Sequence, residues 1–153
     1  SVAAPLLPRV AEVLGEAGVY FHACPRALPL MQGKAAVAPF AEEDRGKEYL
    51  ALEMGVRVVS SMEEAVNYIA AHGSNHSEVI LTNSHSNAMS FLREVDASMV
   101  AVNASTRFND GGQLGLGAEI GISTCKLHSY GPMGVKELTT TKFVVLGKGQ
   151  IRA

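Results

Sequence analysis

Three short apolar segments separated by two amphipathic ones, all between residues 50 and 103, constrain this chain more than any other feature. Residues 50–59 partly alternate and turn β-rich toward their end. Ser61, followed three residues later by Glu64, forms a capping box, in which side chains satisfy the free amides of a helix start. Met62, Ala65, Val66, Ile69 and Ala70 follow at helical spacing, and Gly73 ends the run. Residues 78–82 predict a second strand, Ala88, Phe91, Leu92 and Val95 mark a second helix, and residues 98–103 predict a third strand. Strand, helix, strand, helix, strand with short joins predicts an α/β fold on a parallel sheet with right-handed crossovers. Such sheets carry their chemistry in loops beyond the carboxyl ends of the strands. The stretch after Val102 is therefore where a site is expected.

The flanks add to this frame. Residues 5–17 predict a helix: Pro5 suits a first turn, Leu6, Leu7, Val10, Ala11 and Leu14 share a face, and Gly18 stops it. Residues 19–23 read as a short strand. Three prolines, two glycines and the charges of Glu42, Glu43, Asp44 and Arg45 make residues 25–46 a surface excursion. Residues 104–134 hold seven of the 15 glycines, and so long a segment without clear secondary structure is uncommon unless it is functional. Residues 139–146 are β-prone and suit a strand that closes the sheet or pairs with another subunit.

Composition narrows the function classes. The 153 residues carry 13 Lys and Arg against 15 Asp and Glu, a net charge of -2, scattered without a basic stripe. That disfavours nucleic acid as a partner. No apolar run approaches the ~20 residues of a membrane span, so no membrane segment is expected. The start lacks Met and has no cationic flank before an apolar stretch, so no signal peptide is expected, and the chain reads as a piece of a longer one. Cys24 and Cys125, about a hundred residues apart, exclude a disulfide scaffold and a CxxC site and fit a reducing, cytoplasmic compartment. Only 18% of residues are charged, which leaves room for surface covered by a partner.

Several residue types bear on chemistry. Asn103-Ala-Ser-Thr-Arg-Phe108 leaves the third strand with an amide, two hydroxyls and a guanidinium. Such a set either grips a carboxylate or phosphate or forms a Ser/Thr turn with Arg107 in a structural salt bridge. Gly115-Leu-Gly-Ala-Glu-Ile-Gly121 has GxGxxxG spacing and no preceding strand, so it fails as a dinucleotide fingerprint. It still suits either a loop that brings backbone amides close to a ligand or a plain turn. His72 and His76 are four apart, but Gly73 and Ser74 interrupt any shared helix and no HExxH pattern follows, so no metal site is expected. Cys125 with His128 must be weighed as a nucleophile pair, without a third orienting group. Each cysteine otherwise reads as a small apolar residue.

The run Val59-Ser-Ser-Met-Glu-Glu-Ala-Val-Asn-Tyr-Ile-Ala-Ala-His-Gly-Ser-Asn-His-Ser-Glu-Val-Ile80 resembles the signature of the gamma-glutamyl phosphate reductase family. Val95-Asp96, Asn103-Ala-Ser-Thr-Arg-Phe108, Gly115-Leu-Gly-Ala-Glu-Ile-Gly-Ile-Ser-Thr124 and Gly131-Pro-Met-Gly134 match it too, in the same order. The likeness is dense over residues 48–153 and loose over 1–47. It implies membership of the aldehyde dehydrogenase superfamily and a role in proline biosynthesis. The implied reaction is NADPH-dependent reduction of gamma-glutamyl phosphate to glutamate 5-semialdehyde and phosphate. It further implies a cysteine nucleophile in a Cys-Asn-Ala motif upstream of Ser1, which displaces phosphate to give a thioester. No such motif occurs here, so no residue of this chain is expected to be catalytic.

The chain then resembles the carboxyl-terminal portion of the enzyme. Residues 1–135 would be the C-terminal part of a parallel-sheet catalytic lobe, and residues 136–153 an oligomerisation strand and tail. NADPH would bind mainly to a domain missing from this chain, and the protein would be a homo-oligomer. Residue by residue, the resemblance implies cofactor binding by Glu48, beside Tyr49, through the nicotinamide ribose. It implies substrate binding by Asn103, Ser105, Thr106 and Arg107, and by Gly117, Ala118, Gly121, Ile122 and Ser123, whose amides would hold the α-carboxylate. Tyr68 stands where the signature has His, and Tyr130 where His-Ala-Arg-Gly-Pro has Arg. The ending resembles the stand-alone bacterial form more than the fusion to glutamate kinase. The competing reading is a non-catalytic assembly or ligand-binding module of the same fold.

Overall fold

A computed structural model of the chain describes residues 2–152. Its contacts divide it into two compact units, residues 1–74 with 83–96, and residues 75–82 with 97–153.

In the first unit, helix α1 (Ala3–Glu16) ends as its sequence dictates. Gly18 adopts φ +85° and donates to Gly15, while Val19 donates to the Leu14 carbonyl, which together cap the last turn. The chain turns straight into β1 (Tyr20–Ala23). Helix α2 (Leu28–Met31), β2 (Val37–Pro39) and β3 (Glu53–Val56) follow. The three strands form one parallel sheet in the order β2-β1-β3, with Phe21 opposite both Val37 and Met54. The core sits on the central strand. Phe21, Ala23, Ala11, Ala27 and Met31 are fully buried, and Leu7, Val10 and Leu14 of α1 pack against them. Burying a side chain the size of Phe21 contributes about 1.5–3 kcal/mol.

Helix α3 (Met62–His72) and helix α4 (His85–Glu94) belong to the same unit. The Ser61 hydroxyl accepts from the Glu64 amide at 3.1 Å, and the Glu64 carboxylate accepts in return from the amide of Ser60 at 2.8 Å. The reciprocal bond thus reaches one residue further back than the usual box. That amide bond, aided by Arg57, holds the Glu64 carboxyl below its ordinary pKa. Replacing Ser61 by alanine is expected to cost about 1 kcal/mol, seen as a lower urea midpoint with unchanged slope. Tyr68 lies under the Arg57 guanidinium, 4.8 Å from its ring centre, and its ring sits 4.6 Å from that of His72.

In the second unit, β4 (Ser77–Ile80) and β5 (Met99–Val102) pair in parallel, with Ser77 opposite Met99 and Ile80 opposite Val102. Strands β6 (Gly121–Ser123) and β7 (Gly131–Met133) form an antiparallel pair.

The parallel α/β character is as expected, but its pairing differs in two respects. The strand near residue 56 pairs with β1 rather than with β4, so the predicted single run of three strands is divided between two sheets. Its partner is set by the buried Phe21–Ala23 ridge, a non-local choice that crossover length does not specify. The excursion at residues 25–46 also contributes an edge strand, β2, and its proline Pro39 sits at that edge, where a missing donor costs nothing. Residues 140–152 take no regular structure, and Phe143, Val144, Val145 and Leu146 are exposed. Among the described residues no helix is long and apolar enough to cross a membrane.

Candidate functional site

The loop leaving β5 is built from Asn103 onward. Asn103 takes φ +52°, a left-handed conformation that Asn tolerates better than other side chains. Its carboxamide oxygen accepts from the Thr82 amide at 2.8 Å and its nitrogen donates to the Thr82 carbonyl at 2.9 Å. The side chain thus behaves like one more residue of β5, clamping the chain that leaves β4. Ser105 then caps a single 3-10 turn, Thr106–Phe108, its hydroxyl accepting from the Arg107 amide at 3.2 Å. The Ser/Thr turn anticipated for this stretch is present; the structural salt bridge is not, because no hydrogen bond or ion pair engages the Arg107 guanidinium among the described residues.

Asn109 anchors the far side of this turn, a role the sequence did not signal. It is 5% exposed, and its side-chain NH2 shares its two donors among the His76 carbonyl, the Ser77 hydroxyl and the Ser98 hydroxyl, 2.8–3.0 Å away. Those three groups stand at or just before the starts of β4 and β5, so the turn is tied to both strands. Asp110 then accepts from the Gln113 amide at 2.7 Å, which folds residues 110–113 back on themselves. The result is a cleft of about 350 Å³ lined by Ser105, Arg107, Phe108, Asp110 and Gln113. Its lining residues thus bring an unpaired guanidinium, a hydroxyl and a carboxamide, the first suited to an anionic group, together with the Asp110 carboxylate. Thr106 is exposed beside them.

The glycine-rich segment divides into two parts. Gly117 and Ala118 line a second cleft, about 530 Å³, with Leu116, Val135, Lys136 and Glu137. Gly117 has φ +89° and open space around its Cα. The Ala118 carbonyl is covered by two glycines: a Cβ on Gly111 would lie 2.4 Å from it and one on Gly134 3.2 Å. Gly121, Ile122 and Ser123 instead lie in β6, opposite Met133, Pro132 and Gly131. The Ser123 hydroxyl is engaged with the backbone of Cys125, both donating and accepting.

Glu48 lies in the first unit and is exposed. Its neighbours are held firmly. The Tyr49 ring stacks on His22 at 4.9 Å, and its hydroxyl donates to Asp44 at 3.1 Å. Burial and that carboxylate push the Tyr49 phenol up to about 12. Asp44, 7% exposed, is held below the ordinary carboxyl range by the Ala41 amide, outweighing burial, with help from Tyr49 and His22. His22 also reaches Glu53 at 2.9 Å, and Lys47 sits over the Tyr49 ring. Two residues after Glu48, Leu50 takes φ +52° although nearly fully exposed, strained backbone of a kind that collects at functional loops.

The remaining candidates separate. Cys24 is in the core, its sulfur accepting from the Val58 amide at 3.3 Å. Burial raises its pKa, but the amides of Val58, Ala27 and Arg26 and the charge of Arg57 outweigh that and lower it. Cys125 is exposed between β6 and β7, and the His128 ring meets the Glu137 carbonyl instead. The Tyr130 hydroxyl donates to Asn75 and its ring lies under Lys126. Among the described residues no group of three or more His, Cys, Asp or Glu is placed to hold a metal ion.

No family model matches the chain. It is 70% identical over 152 residues to gamma-glutamyl phosphate reductase of Oleidesulfovibrio alaskensis, covering 99% of this chain and 36% of that protein. The reductase of Nitratidesulfovibrio vulgaris is 67% identical over 150 residues, covering 98% and 35%. Among solved structures, the Thermotoga maritima gamma-glutamyl phosphate reductase superposes with a TM-score of 0.88 at 46% identity, over 99% of this chain and 36% of that one. The Saccharomyces cerevisiae enzyme gives 0.52 at 32% identity, over 71% and 28%. The chain spans about a third of the length of the curated relatives it matches. It has the aldehyde dehydrogenase-like fold of that segment. Over nearly its whole length, then, the chain is a homologue of a segment making up about a third of gamma-glutamyl phosphate reductase.

Proposed function

We propose that the chain is the C-terminal portion of an NADPH-dependent gamma-glutamyl phosphate reductase, acting in proline biosynthesis in the cytoplasm. The observation that carries this reading is the unpaired Arg107 guanidinium in its cleft, in a chain 70% identical over 152 residues to a gamma-glutamyl phosphate reductase. Arg107 with the hydroxyls of Ser105 and Thr106 grips an anionic end of gamma-glutamyl phosphate. Asn103 shapes the loop by clamping Thr82. Gly117 and Ala118 bring backbone amides to the second cleft, and Gly121, Ile122 and Ser123 supply further donors from β6.

The exposed Glu48 carboxylate is an acceptor of the kind that paired ribose hydroxyls require, on a loop stiffened by the Tyr49–Asp44–His22 contacts. When bound, NADPH supplies the hydride. The nucleophilic cysteine belongs to another part of the enzyme. Residues 136–153 contribute to a homo-oligomer, where the exposed run from Phe143 to Leu146 gains a strand partner.

The test is the reverse reaction: glutamate 5-semialdehyde, phosphate and NADP, followed by NADPH absorbance, with the 153-residue chain beside the intact enzyme. Turnover by the intact enzyme alone is expected. Turnover by the short chain would make Cys24 or Cys125 catalytic and overturn the assignment of the nucleophile elsewhere. Silence from both would favour a non-catalytic assembly module.

A further inference from the structure

We infer that Asp110 is a specificity-determining residue that receives the α-ammonium group of the substrate, with Arg107 taking the adjacent α-carboxylate. This rests on the reading of the enzyme given above and decides which end of the substrate enters the first cleft.

The argument begins with charge. Arg107 and Asp110 line the same cleft, yet no ion pair joins them among the described residues. Opposite charges that line one cleft without pairing present both signs to whatever enters. The complementary ligand is itself dipolar, and an α-amino acid head carries its two charges on neighbouring atoms. A phosphate group does not fit this pattern, because the Asp110 carboxylate repels it while Arg107 attracts it.

Geometry supports the same assignment. Asp110 is half-buried, and its Oδ1 is fixed by the Gln113 amide at 2.7 Å. Oδ2 makes no hydrogen bond among the described residues and is left to accept from an ammonium group. Ser105 and Gln113 add neutral polar groups to the cleft wall. Phe108, 49% exposed, offers an apolar surface for the methylenes that lead from the head to the reacting carbon. A cleft of about 350 Å³ suits a small ligand head.

The experiment compares two aldehydes in the intact enzyme: glutamate 5-semialdehyde and 5-oxopentanoate, which lacks only the α-amino group. A site that pairs with a substrate group rejects the analogue lacking it, here by about 100-fold or more in kcat/KM. Asp110→Asn keeps the Oδ1 acceptor for Gln113 and removes only the charge. It is expected to lower the ratio of the two kcat/KM values at least ~10-fold, by loss on the aminated aldehyde. Arg107→Ala is expected to lower both values together, since both aldehydes carry the carboxylate. An unchanged ratio in Asp110→Asn, or equal loss on both aldehydes, overturns the assignment and leaves Asp110 as a turn residue. An unaltered enzyme that oxidises neither aldehyde overturns the underlying reading of the enzyme and this assignment with it.

Discussion

Replacing Arg107 by alanine in the intact enzyme is expected to lower kcat/KM for gamma-glutamyl phosphate about 10- to 150-fold, the equivalent of ~1.5–3 kcal/mol for a hydrogen bond to a charged group. The expectation follows from what the guanidinium does in the structure. Among the described residues no carboxylate pairs with it, and the Ser105 hydroxyl bonds its backbone amide rather than its side chain. Removal should therefore leave the thermal midpoint within about a degree or two, since surface changes away from packed features usually fall within ±0.5 kcal/mol. Arg107→Lys separates charge from shape. Lysine keeps the positive charge but loses the planar fork, so a partial recovery, some severalfold below the unaltered enzyme, is expected. A kcat/KM for Arg107→Ala equal to that of the unaltered enzyme would remove Arg107 from the substrate site. A collapse of stability would show that the side chain supports the fold after all.

The legibility of this site in the sequence follows a physical division between local and non-local causes. Helix α3 could be read because its start is encoded within four residues: Ser61 and Glu64 cap amides that lie beside them in the chain. The end of α1 was legible for the same reason, since Gly18 alone permits the left-handed turn there. The centrality of β1 was not. Four residues with Phe21 and Ala23 pointing inward become the middle of a sheet only when β2 and β3 arrive on either side. β2 arrives from a segment whose composition looked loop-like, and β3 from a stretch read as a strand of the β4–β5 run rather than as a partner of β1. At the site, Ser105 and Arg107 were visible because polar residues directly after a parallel strand have few structural reasons to be there. Phe108, Asp110 and Gln113 were missed because what brings them to the same cleft is a backbone reversal held by the Asp110 carboxylate. Asn109 was missed because its partners, His76, Ser77 and Ser98, lie in two other segments of the chain. Asn103, read as facing the substrate, spends both ends of its amide on Thr82 in this structure.

Gly111→Ala tests how the glycine-rich loop is held, and it is expected to be among the most damaging single-methyl changes in the second unit. Gly111 is buried, and its φ is not in the left-handed region, so backbone conformation is not what demands glycine there. The demand is space. The added Cβ would stand 2.4 Å from the Ala118 carbonyl oxygen and 3.0 Å from its carbon, both backbone atoms that no rotamer change can move aside. The neighbouring ties make retreat harder: the Gly111 amide donates to Glu119 at 2.8 Å, and its carbonyl accepts from the Leu116 amide at 2.8 Å. Relief requires displacing residues 116–119 as a block, which opens the second cleft. Overpacking of this kind costs about 1–3 kcal/mol, and in the intact enzyme the displaced Gly117 and Ala118 amides should lower kcat/KM as well. Gly117→Ala is the informative companion. Its Cβ would meet open space, so its cost comes only from φ +89°, and Gly117→Asn, which tolerates left-handed backbone better, should recover part of the loss. No such recovery is expected for Gly111→Asn, which adds bulk where the carbonyl already stands. Equal behaviour of asparagine at the two positions, measured by thermal midpoint and by kcat/KM, would mean that the loop relaxes freely and that the close approach of Gly111 to Ala118 does not position it.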